Sequence, residues 1–161
     1  MVNTYKIFKL RYFLIITGLV FLISVGGITF GKINDKSFAH IIIKENNFYV
    51  EIATTPFQHS RGLSGRKSLL PGTGMLFLFG DERVRTFWMK DCFVPLDIAF
   101  IDANWRIISI KRMTVWFDPG DPNQREYSSD KPCSYVLEVP AGELKNTGVK
   151  AGDRVKAILF Y

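Results

Sequence analysis

Four charged side chains lie within or beside glycine-broken or apolar segments, where a charged group is unusual. Arg61 and Arg66 lie in a glycine-broken segment, whereas Lys90 follows an apolar run and Asp97 lies inside another. A charge in such a run must be paired or must line a wet cleft, because burying it alone is costly. We expect the four to converge on one polar site. Three cations and one acid would suit an anionic ligand such as a carboxylate, a phosphate or an acidic sugar.

Two other uses of these residues remain open. Asp97 could pair with Arg61 or Lys90 and simply tie a cap to the sheet. Alternatively, Asp97 could act with Lys90 or Arg61 in a hydrolase, although no catalytic residue can be assigned. A pair of carboxylates could also cleave a glycoside. However, Glu138 alternates with apolar neighbours, so a solvated face is expected to account for it.

The two cysteines, Cys92 and Cys133, are candidates for a disulfide. In an oxidising compartment the bridge would close a long loop, worth roughly 4 kcal/mol on the chain-entropy model. The alternative is two buried free thiols that act as small hydrophobes. The sequence contains just two histidines, His40 and His59, and no zinc-like spacing of Cys and His. We therefore expect no metal and no cofactor.

The N-terminal segment is predicted to enter or cross a membrane. Residues 12–30 carry no charge, and Lys6, Lys9 and Arg11 precede them. As a helix they would span roughly 28 Å, close to the thickness of a bilayer's hydrocarbon core. The positive-inside rule then places the rest of the chain outside the cytoplasm. This predicts a single-pass anchor, or a secreted or periplasmic protein if the segment is a cleaved signal peptide.

Length and charge limit the number of domains and the kind of partner that the chain can have. The protein has 161 residues, with 21 Lys and Arg against 15 Asp and Glu, which suits one globular domain with an appendage. Without Lys6, Lys9 and Arg11, 18 basic residues face 15 acidic ones, a net charge of +3. These charges are interspersed rather than clustered, so nucleic-acid binding is not expected. We predict a membrane segment at residues 1–31, a tether at 32–44 and one β-rich domain at 45–161.

The apolar pattern of that domain indicates a mainly β (α+β) fold. Short strands alternate with turn signals. Thr55-Pro56 predicts the start of one short helix, and Ala141–Thr147 predicts a second. Most of the segments between successive strands are too short for helical crossovers, which favours a compact antiparallel sheet. We expect about seven or eight strands in a curled or barrel-like sheet. The strands are predicted at residues 48–52, 74–79, 87–92, 96–102, 106–113, 135–139 and 154–161, with a further strand entering from 41–43.

Several short motifs occur in a fixed order between Arg61 and Gly142. They are Arg61-Gly62-Leu63, Gly74-Met75-Leu76-Phe77, Phe87-Trp88-Met89-Lys90, Pro95-Leu96-Asp97-Ile98 and Tyr135-Val136-Leu137-Glu138-Val139-Pro140-Ala141-Gly142. In this order the chain resembles the uncharacterised family called domain of unknown function one-ninety-two. The resemblance implies a compact β-rich domain that is often exported or membrane-tethered, and it implies no reaction. That family commonly has Asn-Thr after Trp-Met-Lys, whereas Asp91-Cys92 follows here.

The sequence therefore favours a non-enzymatic accessory or binding module of the cell envelope, with an anionic or carbohydrate ligand. The first alternative is an extracytoplasmic hydrolase that uses Asp97 with Lys90 or Arg61. The second is a structural partner of another envelope protein, whose identity the sequence does not give. A deep polar pocket with a perturbed carboxylate would favour an enzyme, and a groove rimmed by aromatics would favour a binding module.

Overall fold

A computed structural model describes residues 37–115 and 126–160. The chain divides into two compact units, Met1–Asn34 and Asp35–Tyr161, and every described residue belongs to the second. The predicted membrane segment at 12–30 lies outside the described residues. Within the described ranges, no helix is both long enough and apolar enough to cross a bilayer.

Nine strands and two short helices make up the described domain. The strands are β1 (Phe38–Ile43), β2 (Asn46–Ala53), β3 (Thr73–Arg83), β4 (Thr86–Phe87), β5 (Leu96–Ile101), β6 (Ile107–Met113), β7 (Tyr127–Ser128), β8 (Cys133–Pro140) and β9 (Val155–Phe160). The helices are α1 (Pro56–Arg61) and α2 (Glu143–Asn146). The prediction of a mostly β domain with two short helices is confirmed.

Seven strands form one mixed sheet in the order β6-β5-β8-β3-β2-β1-β9, while β4 and β7 pair separately. The neighbours in the large sheet are antiparallel except for β2 and β3, which run parallel. Parallel neighbours need a long crossover connection, and residues 54–72, with α1, supply it. The expectation that the connections were too short for such a crossover is wrong at this point.

The barrel-like alternative is also wrong, because the sheet does not close. Its edge strands β6 and β9 approach each other next to an isolated antiparallel bridge between Arg106 and Arg154. Continuous pairing of the two edges would be needed for a barrel.

The sheet is buried on both faces along its middle strands. One cluster contains Ile41, Val50, Leu76, Leu137 and Val155, among others, and α2 packs into it through Leu144. The other contains Phe77, Ile98, Phe100 and Val136, with Leu63 from the segment after α1. All six residues of β5 are buried, as expected for a strand that is covered on both sides.

Helix α1 begins where its sequence predicts. The Thr55 side chain accepts a hydrogen bond from the Gln58 backbone, and the Gln58 side chain accepts one from the Thr55 backbone at 3.0 Å. This capping box satisfies donors that a helix N-terminus leaves unpaired. Pro56 occupies the first turn, where its missing N–H costs nothing. Gly62 then ends the helix with a positive φ of 48°.

Two predicted segments differ from the structure. Within the predicted tether a strand was expected only from 41–43, whereas all of 38–43 forms β1 between β2 and β9. The predicted strand at 87–92 is wrong beyond Phe87, because the chain turns there and Asp91 has a φ of +56°. Trp88, which lies inside the predicted strand, is 52% exposed.

Candidate functional site

The four predicted site residues do not share either of the two cavities found in the part of the chain that the structure describes. Arg61 lines a cavity beside α1, and Arg66 pairs with Glu51, its Nη2 lying 2.7 Å from Oε1. Lys90 is exposed, with its Nζ 5.8 Å from the centroid of the Trp88 ring. Asp97 lines a different cavity, beside α2. The expected convergence is therefore not found, and a ligand-binding role for each of the four stays a prediction.

Asp97 is a buried structural acceptor in this fold. Its Oδ2 accepts hydrogen bonds from the backbone N–H groups of Gly142 at 2.8 Å and Leu144 at 3.3 Å, at the start of α2. Its Oδ1 accepts one from Arg112 Nε at 3.3 Å. Asp97 thus ties α2 to the sheet, and its cationic partner is Arg112 rather than Arg61 or Lys90. The β5–β6 hairpin pairs positions 97 and 112 directly, but its register shifts between Phe100 and Ile101, so counting back from the turn would have given Lys111 instead.

The cavity that contains Arg61 has a volume of about 530 Å³. It lies between the C-terminal half of α1, the glycine turn after it, the end of β3 and the segment around β4. Basic and aromatic side chains dominate its lining: His59, Arg61, Phe77, Phe79, Arg83, Arg85, Phe87 and Trp88, together with Ser64, Cys92 and Glu138. It is one site in which residues from five separated parts of the chain meet.

Glu138 is the acidic residue among those that line this cavity. It is 4% exposed, so the solvated face expected from its strand is wrong. β8 lies in the middle of a sheet that is covered on both faces, and alternation along one strand could not reveal this. Burial raises the pKa of Glu138 to about 8. Among the described residues, its carboxyl group has no hydrogen-bond or ion-pair partner.

Gly74 allows β8 to lie close enough to place Glu138 there. A Cβ atom at position 74 would lie 1.9 Å from the backbone oxygen of Glu138 and 3.2 Å from Cα of Val139. No real side chain tolerates that distance, so β3 needs glycine at this point. The sequence signal was present, since a glycine inside an apolar strand often marks close approach of another backbone.

Arg85 carries a buried guanidinium group at the same cavity. It lies 3.6 Å from the centroid of the Phe79 ring, and its Nη2 donates to the backbone oxygen of Asp81 at 2.9 Å and to the Asp81 carboxylate. Its Nε is buried without an acceptor among the described residues. Arg83 Nε also lies 3.3 Å from Asp81 Oδ2. Two guanidinium groups therefore share one carboxylate, and the hydrogen bond from Arg85 is the main cause that lowers the pKa of Asp81.

Cysteine-based nucleophilic catalysis is not supported by this arrangement. Burial, and secondarily the charge of Glu138, raises the pKa of the Cys92 thiol to about 11, so the reactive thiolate is scarce at neutral pH. His59 Nε2 lies 3.1 Å from the backbone oxygens of Ala53 and Leu78. Because both oxygens only accept, Nε2 donates to them and His59 fastens α1 to the sheet.

The two cysteines are free thiols in this structure, both buried. They belong to the same hydrophobic cluster, so the alternative in which each acts as a small hydrophobe describes them here. The candidate disulfide stays a prediction. In residues 37–115 and 126–160, no group of three or more His, Cys, Asp and Glu side chains is arranged to hold a metal ion.

The fold and cavity define a β-sheet domain with a capped, arginine-lined pocket. The profile of the family DUF192, described as Uncharacterized ACR, matches residues 39–157. The chain belongs to this family, which is the one that its motifs resemble. No curated protein matches the chain.

Two solved structures are similar to this chain. One, from Sinorhizobium meliloti and described provisionally as a transcription regulator, is 32% identical with a TM-score of 0.66; the match covers 82% of this chain and 98% of that one. The other is a protein of unknown function from Novosphingobium aromaticivorans, 23% identical with a TM-score of 0.65. That match covers 82% of this chain and 94% of the other, and at this identity it supports the fold alone.

Proposed function

We propose that the domain binds a small organic anion in the cavity beside α1. The observation that carries this proposal is the charge of the lining, which contains three guanidinium groups, those of Arg61, Arg83 and Arg85, and one carboxyl group, that of Glu138. Asp81 offsets one of the three guanidinium charges, and Glu138 is largely protonated at neutral pH because its pKa is raised to about 8. The cavity is therefore electropositive, and guanidinium groups suit carboxylate recognition.

The aromatic side chains narrow the class of ligand. Phe79 and Phe87 line the cavity beside Arg85, and Trp88 lies at the same cavity with 52% of its surface exposed. Aromatic faces pack against apolar surfaces and sugar rings, while the guanidinium groups would hold the acid. A ring-bearing carboxylate or an acidic sugar fits both properties better than inorganic phosphate does.

Glu138 would act as a hydrogen-bond donor to the bound anion. A neutral carboxyl group can donate to a ligand carboxylate, whereas its ionised form would repel it. Binding would therefore favour the protonated form of Glu138 and should weaken as the pH rises past about 8. The affinity for the anion would therefore depend on the protonation of Glu138.

The test is a titration of the full-length protein with glucuronate, galacturonate and benzoate, followed by tryptophan fluorescence and calorimetry. We expect Arg61→Gln to weaken binding by about tenfold, since a charged hydrogen bond is lost. Lys67→Gln is the matched control, because Lys67 is exposed and outside the lining. Absence of binding by the whole panel, or equal affinities in Arg61→Gln and the wild type, would contradict the proposal.

The location of the domain is also a proposal. The uncharged segment 12–30 with its upstream cations supports a domain held outside the cytoplasm by a membrane anchor, or released there after cleavage. Protease added to intact spheroplasts should digest the domain, while a cytoplasmic control protein survives. Full protection of the domain together with its recovery in the cytosolic fraction would count against export.

A second candidate function is that of a structural partner for another envelope protein. One observation favours it: the face of β2, β1 and β9 away from the core exposes Tyr49, Phe38, Ile158 and Phe160. Phe38 and Phe160 are paired across β1 and β9, so their side chains adjoin. A photocrosslinking residue at position 49 should then capture a defined partner in cells, and the same residue at exposed position 67 should not.

A further inference from the structure

A second cavity, of about 590 Å³, shares no lining residue with the first. It lies between β6, α2 and the turn that follows α2. Three of its lining side chains are basic, namely Arg112, Lys145 and Lys150, while Ile110 and Val149 contribute apolar surface. Asp97 is the one acidic residue in the lining. The composition therefore favours an anion rather than a cation.

Asp97 positions Arg112 and offsets one of the three basic charges in the lining. Its carboxylate is 3% exposed, and it accepts from two backbone amides of α2 and from Arg112 Nε at 3.3 Å. One edge of the guanidinium group is thus fixed by a buried acceptor. The remaining Arg112 nitrogens belong to a side chain that is 54% exposed. A guanidinium group held in this way loses little conformational entropy when it binds an anion.

Other nearby carboxylates are engaged with different groups. Glu143 on α2 accepts from the Gly72 backbone N–H at 2.9 Å. Asp153 pairs with Lys44 at 3.1 Å and accepts from the backbone N–H of Lys150 at 2.8 Å. Within the part of the chain that the structure describes, Lys145 and Lys150 have no carboxylate within salt-bridge distance of their ammonium groups. Lys150 acts on the Asp153 carboxylate only through longer-range attraction, so the described residues hold neither ammonium group in an ion pair.

We propose that this cavity binds a phosphate group, with Arg112 as the positioned contact and Lys145 and Lys150 as flanking cations. A phosphate offers several acceptor oxygens and up to two negative charges, which matches one fixed guanidinium group and two flexible ammonium groups. The group could belong to a soluble phosphorylated molecule or to the headgroup of an anionic lipid. This site is independent of the proposed carboxylate cavity, so each can fail without the other.

The experiment titrates the full-length protein in detergent micelles by calorimetry. One arm adds inorganic phosphate and glycerol phosphate; the other uses micelles doped with phosphatidylglycerol or, as a comparison, phosphatidylcholine. We expect saturable binding in at least one arm, weakened about tenfold by Arg112→Gln and by the double variant Lys145→Gln/Lys150→Gln. Binding of the soluble phosphates identifies a soluble source, and binding confined to phosphatidylglycerol identifies a lipid.

Two controls keep the result interpretable. Lys67→Gln removes an exposed cation elsewhere and should leave affinity unchanged. Lys145 and Lys150 are exposed, so their double variant tests the site even if Arg112→Gln disturbs folding. No saturable binding in either arm, or equal affinities in the double variant, Lys67→Gln and the wild type, would overturn the proposal.

Discussion

Glu138 shows how one residue can combine a cost in stability with a binding role. Its carboxyl group is buried without a partner among the described residues, at a cavity lined by arginines. Burial disfavours the ionised form and raises its pKa from 4.5 to about 8. Such a residue is retained more readily for function than for stability, because a neutral residue of the same shape would avoid the ionisation cost.

We expect Glu138→Gln to flatten the dependence of stability on pH. The folded state holds this proton up to about pH 8, whereas the unfolded chain releases it near 4.5. The free energy of unfolding should therefore fall between these pH values by up to about 1.4 kcal/mol per pH unit, and level off above them. Glutamine cannot ionise, so the variant should lose this slope and be more stable than the wild type at pH 8.

Urea denaturation at pH 5, 6.5 and 8 measures this effect. Glu45→Gln is the matched control, because Glu45 is exposed and should keep the wild-type slope. If Glu138→Gln retains that slope, Glu138 does not hold a proton in the folded state at these pH values.

A second prediction at the residue scale concerns the effect of a side chain at Gly74 on stability. Alanine there would place Cβ 1.9 Å from the backbone oxygen of Glu138, so β3 and β8 would have to separate. We expect Gly74→Ala to destabilise the fold by about 3 kcal/mol. Gly80→Ala lies on the same strand with nothing within 4 Å of its Cβ, and should change stability by less than about 0.5 kcal/mol. Equal melting curves for the two variants would contradict the close approach.

At the scale of elements, the two short helices are attached in different ways. α1 is begun by its own capping box and is fastened by the two hydrogen bonds of His59. α2 has no side-chain cap from its own N-cap residue, Gly142. Asp97, distant in sequence, supplies the acceptor that this helix lacks. The position of α2 therefore depends on the sheet.

We expect Asp97→Asn to destabilise the fold by about 2–3 kcal/mol. The amide group would present a donor where the carboxylate accepted from backbone N–H groups and from Arg112. Arg112→Gln should cost less, about 1 kcal/mol or below, because Arg112 is half exposed. Chemical denaturation of both variants checks the order, and a wild-type midpoint for Asp97→Asn would rule out the capping role.

For the whole molecule, the state of the cysteines is the most accessible prediction. The structure holds Cys92 and Cys133 as buried free thiols, and burial raises the pKa of each. A thiol reagent should therefore react slowly with the native protein and should titrate two thiols once the unreduced protein is denatured. A count of zero would instead establish the disulfide that an oxidising compartment would favour.

Much of the element pattern could be predicted, because helix caps and apolar runs are local signals. Thr55-Pro56 predicted α1, and the run at Gly74–Phe79 predicted the buried part of β3. Asp102 forms a turn of the same local kind, since its Oδ1 accepts from the backbone N–H groups of Asn104 and Arg106 at 2.8 Å. The failure at 87–92 has a different cause. Beyond Phe87 the chain leaves the strand and packs Met89 and Cys92 against the core, which needs no strand partner.

The candidate site was less accessible to sequence reasoning. Arg61 was identified as a residue that could bind an anion, and it does line the arginine-rich cavity. Arg83, Arg85 and Glu138 were missed, since each lies in or after a strand where alternation suggests a solvated side chain. Arg83 is exposed, whereas Arg85 and Glu138 are buried at a cavity that the segments at 59–64 and 86–92 also line. No local pattern records which face a distant segment will cover.

What the sequence alone determined is therefore the mainly β character, the caps of α1 and the family to which the chain belongs. Only the tertiary structure decided that β2 and β3 run parallel, that Asp97 pairs with Arg112, and that Glu138 lies buried at an arginine-lined cavity. The physical reason is distance along the chain. Hydrophobic periodicity and turn chemistry act between neighbours, whereas strand order, register and cover over a face are set by contacts between segments tens of residues apart.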